Sequence, residues 1–138
     1  MSEIKPTSNS RYFNEVPLSQ ELIQTTQELG YQVMTAVQAQ SIPILLAGRD
    51  LIGQSQTGSG KTAAFALPIL HHMSQEEEGT KSRATRALIL CPTRELCTQV
   101  AGEFRKLARK IPGLQVLIIS GGIPIYPQLT ALKRGVHV

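Results

Sequence analysis

Residues 55–62 have the composition of a loop that binds phosphate. They place two glycines before a predicted helix and a lysine at its start, in the order Ser55, Gln56, Thr57, Gly58, Ser59, Gly60, Lys61, Thr62. Glycines let backbone amides turn inward around phosphate oxygens, and the start of the helix adds unpaired amides and a positive dipole end. Lys61 can then reach the β- and γ-phosphates of a nucleotide as a point charge, while the Thr62 hydroxyl can ligate Mg²⁺.

The context of this run decides its interpretation. The strict pattern requires glycine six residues before the lysine, where this sequence has Ser55. A flexible Gly-Ser loop with an ordinary surface lysine is therefore the alternative. Because the run lies between a predicted strand and a predicted helix, the context that such a loop requires, we predict a phosphate-binding loop.

Capping signals and apolar spacing indicate the helices that position this loop. They predict helices over residues 19–29, 35–48, 61–73, 94–111 and 127–134. Thr35 and Gln38 have the spacing of a capping box, and Pro43 is expected to interrupt the helix that follows.

Short apolar runs between these helices predict strands at residues 50–54, 87–91, 116–119 and 136–138. Strands that alternate with helices indicate an α/β fold with a parallel sheet and helices on both faces. Polar composition predicts a flexible arm over residues 1–10 and a solvated loop over residues 74–85.

Three further segments, together with the loop, resemble motifs of the DEAD-box ATP-dependent RNA helicases. Residues 30–38 resemble the family's Q motif, and Phe13 stands 17 residues before Gly30, where the family places an aromatic residue. Residues 92–96 resemble the first RNA-contacting motif of the helicase core, and residues 121–122 resemble its double-glycine motif. The resemblance covers residues 11–138, with Met34 where the family usually has proline and Ser55 where it commonly has alanine.

This resemblance implies a RecA-like P-loop NTPase that uses ATP and Mg²⁺ and binds RNA. It implies catalytic roles for Lys61 and Thr62, and ATP contacts at Phe13, Gln38 and residues 55–62. The implied RNA contacts are Pro92, Thr93, Arg94, Gly121 and Gly122. The implied organisation is an arm at 1–10, a Q-motif region at 11–39, and an incomplete ATP-binding domain at 40–138. Residues 90–96 and 99–103 look most like the bacterial DbpA branch, which makes ribosomal RNA a candidate partner.

The side-chain chemistry agrees with these roles but leaves alternatives. Gln38 has the donor and acceptor needed to pair with the edge of adenine, and Phe13 can stack on its face. Gln38 can equally serve the capping box alone, and Phe13 can belong to the core. Thr93 and Arg94 lie where a strand meets a helix and can contact an RNA phosphate, or they can be a helix cap and a solvated arginine.

Charge is distributed unevenly along the chain. Residues 1–80 carry four basic and eight acidic groups, a net −4, whereas residues 81–138 carry ten basic and two acidic groups, a net +8. This asymmetry favours a polyanionic partner for the second part. The interpretation favoured for the basic residues of the 94–111 helix is a solvated face, with RNA contact as the alternative.

Composition argues against a membrane protein, a disulfide-rich protein and a zinc protein. The start of the chain is polar, and no apolar run approaches the ~18 residues of a membrane span, so we expect a soluble, cytoplasmic protein. Cys91 and Cys97 are too few for a disulfide framework or a four-cysteine zinc site, and are expected to be packing thiols.

The sequence has a single aspartate, Asp50, which begins the strand that feeds the phosphate loop and so lies away from the nucleotide. ATP hydrolysis also needs a carboxylate that holds Mg²⁺ through its water shell. The Asp-Glu-Ala-Asp motif and the second RecA-like domain of the family are absent from this sequence. We therefore expect the front part of a helicase that, alone, binds adenine nucleotide weakly at most and does not hydrolyse ATP or unwind RNA.

Two other classes stay open. A different P-loop enzyme, such as a kinase or transport ATPase, would share residues 55–62 but has no need of Gln38 with Phe13. A non-catalytic RNA-binding module would bind RNA without nucleotide. The sequence leaves the oligomeric state open.

Overall fold

The computed structural model describes residues 12–75 and 84–138; the predicted arm at 1–10 and most of the predicted loop at 74–85 lie outside the described residues. A 3₁₀ turn at Phe13–Glu15 precedes five helices. These are α1 (Gln20–Glu28), α2 (Ala36–Leu46), α3 (Lys61–Ser74), α4 (Arg94–Leu107) and α5 (Ile125–Arg134). None of the helices in the described residues has the length and apolar character needed to cross a membrane.

The helix predictions were confirmed, with three differences. α2 runs through Pro43 to Leu46, so the predicted interruption was wrong. Proline loses one backbone bond, but near the helix end the Pro43 carbonyl still accepts from Ala47 N at 3.2 Å. α4 ends at Leu107, and Ile111 instead donates its N–H to Ala108 O in the turn beyond. α5 begins two residues earlier than predicted, because Pro127 fits the first helical turn.

The core lies where α3 packs against α1, α2 and α4. Its largest fully buried apolar side chains come from these four helices: Leu22, Ile42, Leu67, Leu70, Phe104 and Leu107. The Phe65 and Phe104 rings pack with centroids 6.0 Å apart. Full burial of one such side chain is worth about 1.5–3 kcal/mol relative to leaving it exposed. Since Lys61 is the first residue of α3, this packing also fixes the end of the phosphate loop.

The predicted strands are not regular strands in the described residues, where only an isolated Tyr12–Val33 bridge is assigned. The hydrogen bonds most similar to those of a sheet are made by His137. Its carbonyl accepts from Arg86 N and Ala87 N, and its N–H donates to Gln115 O. Segment 136–138 therefore lies between segments 86–87 and 115–117. The remaining predicted strand residues lack this pairing, and a strand becomes regular only through its neighbours.

The prediction that residues 50–54 form a buried strand was also wrong. Ile52 is fully exposed, at 101% of its reference area, and Leu88 and Leu90 on the second predicted strand are 80% and 85% exposed. Their apolar side chains have no cover among the described residues. Apolar composition therefore predicted strands here without the neighbouring segments that would pair with and bury them.

Cys91 and Cys97 are free and partly buried. Burial, and secondarily the neighbouring Cys97 thiol, raise the pKa of the Cys91 thiol. A raised pKa lowers the thiolate fraction and hence the reactivity of Cys91, which is consistent with a packing role.

Candidate functional site

The loop at 55–62 turns on two glycines in the left-handed region. Gly58 has φ 76°, and Gly60, the N-cap of α3, has φ 86°. This conformation is energetically unfavourable for L-residues, which have a Cβ atom, but not for glycine. The Ser55 and Ser59 hydroxyls lie 2.7 Å apart and close the loop by a hydrogen bond. The glycine spacing therefore has a structural cause that the sequence pattern anticipated.

The loop is folded around the ammonium group of Lys61. This group donates hydrogen bonds to the backbone carbonyls of Ser55 and of Gln56, the latter at 2.7 Å. An ammonium has three N–H donors, so one remains. Both acceptors belong to the loop itself, so the Lys61 side chain points back over the backbone of the loop.

Gln38 connects the Q-motif region to the phosphate loop. Its Oε1 accepts from Thr35 N at 2.9 Å, and Thr35 Oγ1 accepts from Gln38 N at 3.4 Å, so the predicted capping box is confirmed. Its Nε2 also donates to Gly60 O at 3.1 Å. Gln38 as a whole is 5% exposed. One N–H and one oxygen lone pair stay unused by these bonds, so capping leaves room for the pairing expected with adenine.

Phe13 is 3% exposed and belongs to the hydrophobic core, as the alternative interpretation expected. Its N–H donates to Gln32 O at 3.4 Å, beside the antiparallel bridge of Tyr12 with Val33. The same residue lines the cavity described next. Core packing and cavity lining coexist at this position.

One cavity of about 930 Å³ lies between the Q-motif region and the phosphate loop. Its lining combines the 3₁₀ turn, the Q-motif region, the phosphate loop and α4: Phe13, Gly30, Tyr31, Gln32, Val33, Thr35, Gln38, Thr57, Gly58, Gly60, Lys61, Thr62, Ala63, Leu96, Gln99 and Glu103. The predicted residues Ser55, Gln56 and Ser59 are in the loop but not in this lining.

Sequence reasoning missed the contribution of α4 and of Tyr31 to this cavity. Leu96, Gln99 and Glu103 are three and four residues apart and so lie on one face of α4. That spacing was visible in the sequence. Nothing in it, however, indicated that a partly polar helix face would meet a loop more than 30 residues away.

The predicted RNA-contacting residues lie at the start of α4 and at residues 121–122, and none of them is part of the cavity lining. Thr93 caps this helix by accepting from Leu96 N at 3.2 Å, as the capping alternative expected. Arg94 is exposed, and its guanidinium lies against Gly122, where an added Cβ would stand 2.9 Å from Arg94 Cζ. Pro92 and Gly121 are exposed next to them.

Gly122 is expected to position Arg94, and Gly122→Ala tests this. The new methyl group would collide with the guanidinium, and the φ of +75° adds strain. The RNA contact predicted for Arg94 would then be misplaced, and RNA affinity is expected to fall about tenfold, as for the loss of one charge-assisted phosphate contact. Filter binding at fixed salt measures it. Gly113→Ala, which has a similar left-handed φ of +76° but meets nothing within 4 Å, is the control, and equal losses in both variants would contradict the positioning role.

The basic residues around the end of α4 are engaged within the chain, so the solvated-face prediction was incomplete. Arg105 donates to Val116 O at 2.9 Å, and Lys106 donates to Tyr31 Oη at 3.0 Å. Arg109 and Lys110 both pair with Glu28, and these two cations, Lys110 first, lower the pKa of the Glu28 carboxyl. These contacts fasten α4 and its following turn to α1 and to the Q-motif region.

Residues 35–138 match the family described as DEAD/DEAH box helicase. Similar curated proteins include the ATP-dependent RNA helicase DbpA of Escherichia coli, 48% identical over 80% of this chain and 23% of its own length. The DEAD-box ATP-dependent RNA helicase CshA of Geobacillus kaustophilus is 43% identical over 91% of this chain and 26% of its own length. The pre-mRNA-processing ATP-dependent RNA helicase prp-5 of Neurospora crassa is 39% identical over 91% of this chain and 10% of its own length. DbpA is thus one of several branches that this chain resembles.

Solved structures agree with the sequence matches. A DEAD box protein from Methanococcus jannaschii superimposes with a TM-score of 0.82 at 36% identity, over 94% of this chain and 34% of that one. The RNA-helicase Prp28 from Chaetomium thermophilum, bound to ADP, gives 0.79 at 44% identity, over 91% and 30%. The predicted α/β, RecA-like fold class is therefore confirmed by these neighbours. The chain belongs to the DEAD/DEAH box helicase family.

Proposed function

We propose that this chain binds an adenine nucleotide in the cavity between the Q-motif region and the phosphate loop, as the ATP-binding part of an RNA helicase. The observation that carries the proposal is the double engagement of Gln38. Its amide caps α2 and holds the Gly60 carbonyl at 3.1 Å, so one side chain ties the candidate base-recognising region to the phosphate loop.

Each part of the cavity has a role in this proposal. Lys61 exchanges its carbonyl partners for the β- and γ-phosphate oxygens, which bind an ammonium more strongly because they are charged. The first amides of α3 and its dipole favour the same phosphates. Thr62 lines the cavity beside Lys61, and its hydroxyl is a suitable ligand for a nucleotide-bound Mg²⁺, which would neutralise phosphate charge. Gln38 pairs with adenine, and Phe13 contacts its face.

RNA is proposed to bind at the start of α4, through the residues grouped around the Arg94–Gly122 contact. The exposed guanidinium and the amides of the first helical turn are suited to phosphates. The chain spans 10–26% of the length of the curated relatives cited above. ATP-driven RNA unwinding is accordingly proposed for a protein that contains the further helicase elements, with residues 1–10 as an arm, 11–39 as the Q-motif region and 40–138 as part of the ATP-binding domain.

The proposal is tested by base selectivity in Gln38 variants. Gln38→Glu preserves the capping box, since Glu also serves that position, but replaces the amide donor that adenine pairing and the Gly60 carbonyl require. We expect the ratio of ATP to GTP affinity to fall about tenfold, measured by competition against a fluorescent nucleotide. Gln38→Ala should lose the same selectivity together with some helix stability.

Gln40→Ala is the matched control, because Gln40 is an exposed residue of the same helix. Wild-type protein that binds ATP and GTP equally would instead favour another class of P-loop enzyme. RNA binding that needs no nucleotide and survives Lys61→Ala would favour the non-catalytic RNA-binding module.

A further inference from the structure

The cavity contains one charged group at each of two walls. Among its described lining residues, Lys61 of the phosphate loop is the only cation and Glu103 of α4 is the only carboxylate. A carboxylate repels phosphates and therefore favours a different part of a ligand. The proposed function assigns Lys61 a role but leaves Glu103 without one.

Contacts with Tyr31 and Lys106 hold the Glu103 carboxylate in place. The Tyr31 hydroxyl donates to Glu103 Oε1 at 3.2 Å and accepts from Lys106 Nζ at 3.0 Å. Lys106 Nζ also lies 3.7 Å from Glu103 Oε2 and 5.2 Å from the centroid of the Tyr31 ring. The hydrogen bond that Lys106 donates to Tyr31, and secondarily the charge of Glu103, raise the pKa of Lys106, so its charge persists. These two partners leave further lone pairs of the carboxylate able to accept.

The chemistry of a nucleotide leaves one group that suits such an acceptor. Its phosphates are anionic and belong to the phosphate loop, and its base is assigned to Gln38. The ribose between them carries hydroxyl donors, and carboxylates are recurrent partners of ribose hydroxyls in nucleotide sites. Glu103 already accepts from one hydroxyl, that of Tyr31. We propose that Glu103 accepts a hydrogen bond from a ribose hydroxyl of the bound nucleotide and that Tyr31 and Lys106 position its carboxylate; this rests on the proposed function.

Sugar-modified nucleotides test the proposal. Wild-type protein should bind ADP about tenfold more tightly than whichever of 2′-deoxy-ADP and 3′-deoxy-ADP lacks the recognised hydroxyl, because a hydrogen bond to a charged group is lost. Glu103→Ala should bind all three equally. Glu103→Gln should retain less than half of the discrimination on a logarithmic scale, and Tyr31→Phe should reduce it by loosening the carboxylate. Isothermal titration calorimetry measures each affinity.

Two controls distinguish ribose binding by Glu103 from a loss of folding and from a general effect of removing one negative charge. Binding of inorganic pyrophosphate should not weaken in Glu103→Ala, since the phosphate loop is intact; if that variant does not fold, Glu103→Gln decides the question. Glu28→Ala removes the same charge from an ion-paired glutamate outside the cavity lining, and should keep the discrimination.

The outcomes distinguish the two proposals. Wild-type binding of ADP without discrimination among the sugars, or discrimination that survives Glu103→Ala, overturns the ribose proposal alone. A Glu103→Ala variant that loses preference for ADP over inosine diphosphate but keeps sugar discrimination also overturns it, by assigning Glu103 to the adenine amino group. Wild-type protein that binds no nucleotide overturns both proposals.

Discussion

Lys61→Ala is expected to weaken ADP and ATP binding about 100-fold or more. The substitution removes the only cation in the described lining of the cavity and the charge-assisted hydrogen bonds it would make with phosphate oxygens, each worth about 1.5–3 kcal/mol. It also removes the hydrogen bonds to the carbonyls of Ser55 and Gln56, so the loop loses two of its internal contacts. Equilibrium binding of a fluorescent adenine nucleotide, with thermal unfolding measured in parallel, provides the test.

The matched control is Lys133→Ala, which removes an equal charge from the exposed face of α5. Its nucleotide affinity should stay within about twofold of wild type, since exposed distant charges are screened. Lys61→Arg should recover little, because a planar guanidinium cannot replace a compact ammonium inside a closed loop. A Lys61→Ala protein that remains folded and binds nucleotide within threefold of wild type would remove Lys61 from the site.

The two proposed binding sites share α4. Its first residue, Arg94, lies against Gly122 in the proposed RNA region, while Glu103, nine residues later, lines the nucleotide cavity. About 1.5 Å of rise per residue separates these positions by roughly 14 Å along one rigid element. The ion pairs with Glu28 and the hydrogen bond of Arg105 to Val116 fix the other end of this helix. A shift of α4 at either site would thus move groups at the other.

Sequence reasoning succeeded where the cause of a structure is local. Leu96, Val100, Phe104 and Leu107 encode α4 by their spacing, and the capping box at Thr35 and Gln38 needs only residues three apart. Glycine spacing likewise predicted the turns of the loop at residues 55–62, because the left-handed conformations at Gly58 and Gly60 have few other occupants. Such features follow from nearest-neighbour geometry.

It failed where the cause is tertiary. Ile52 and Leu88 have the residue types of buried strands, yet burial depends on neighbouring segments that these residues cannot specify. The bond from Gln38 to Gly60 spans 22 residues, and the bond from Tyr31 to Glu103 spans 72. Neither has a periodic signal. Glu103 was consequently assigned to no role, although it provides the one carboxylate among the described lining residues.

Three glycines allow two contributions to the phosphate loop to be measured separately: its left-handed backbone conformation and its contact with Gln38. Gly60→Ala is expected to destabilise the fold by about 2–3 kcal/mol: roughly 1–2 kcal/mol from the left-handed φ of 86° and about 1 kcal/mol from the hydrogen bond with Gln38. An added Cβ would stand 3.1 Å from Gln38 Cδ, so the amide must move. Because this movement separates the Q-motif region from the loop, nucleotide binding should be lost as well.

Gly58→Ala and Gly53→Ala complete the series. Gly58 has a φ of 76° but nothing within 4 Å of an added Cβ, so its substitution should cost only the conformational strain of about 1–2 kcal/mol. Gly53 lacks a left-handed φ, and its Cβ would make an ordinary 4.0 Å contact with Leu51, so Gly53→Ala should change stability by less than about 0.5 kcal/mol. Urea unfolding and ADP titration of all three variants give the comparison. If Gly58→Ala and Gly60→Ala lose stability and affinity equally, the left-handed strain alone governs the loop and the Gln38 contact contributes nothing. Because the two backbones are otherwise strained alike, a larger loss in Gly60→Ala measures the contribution of the Gln38 contact.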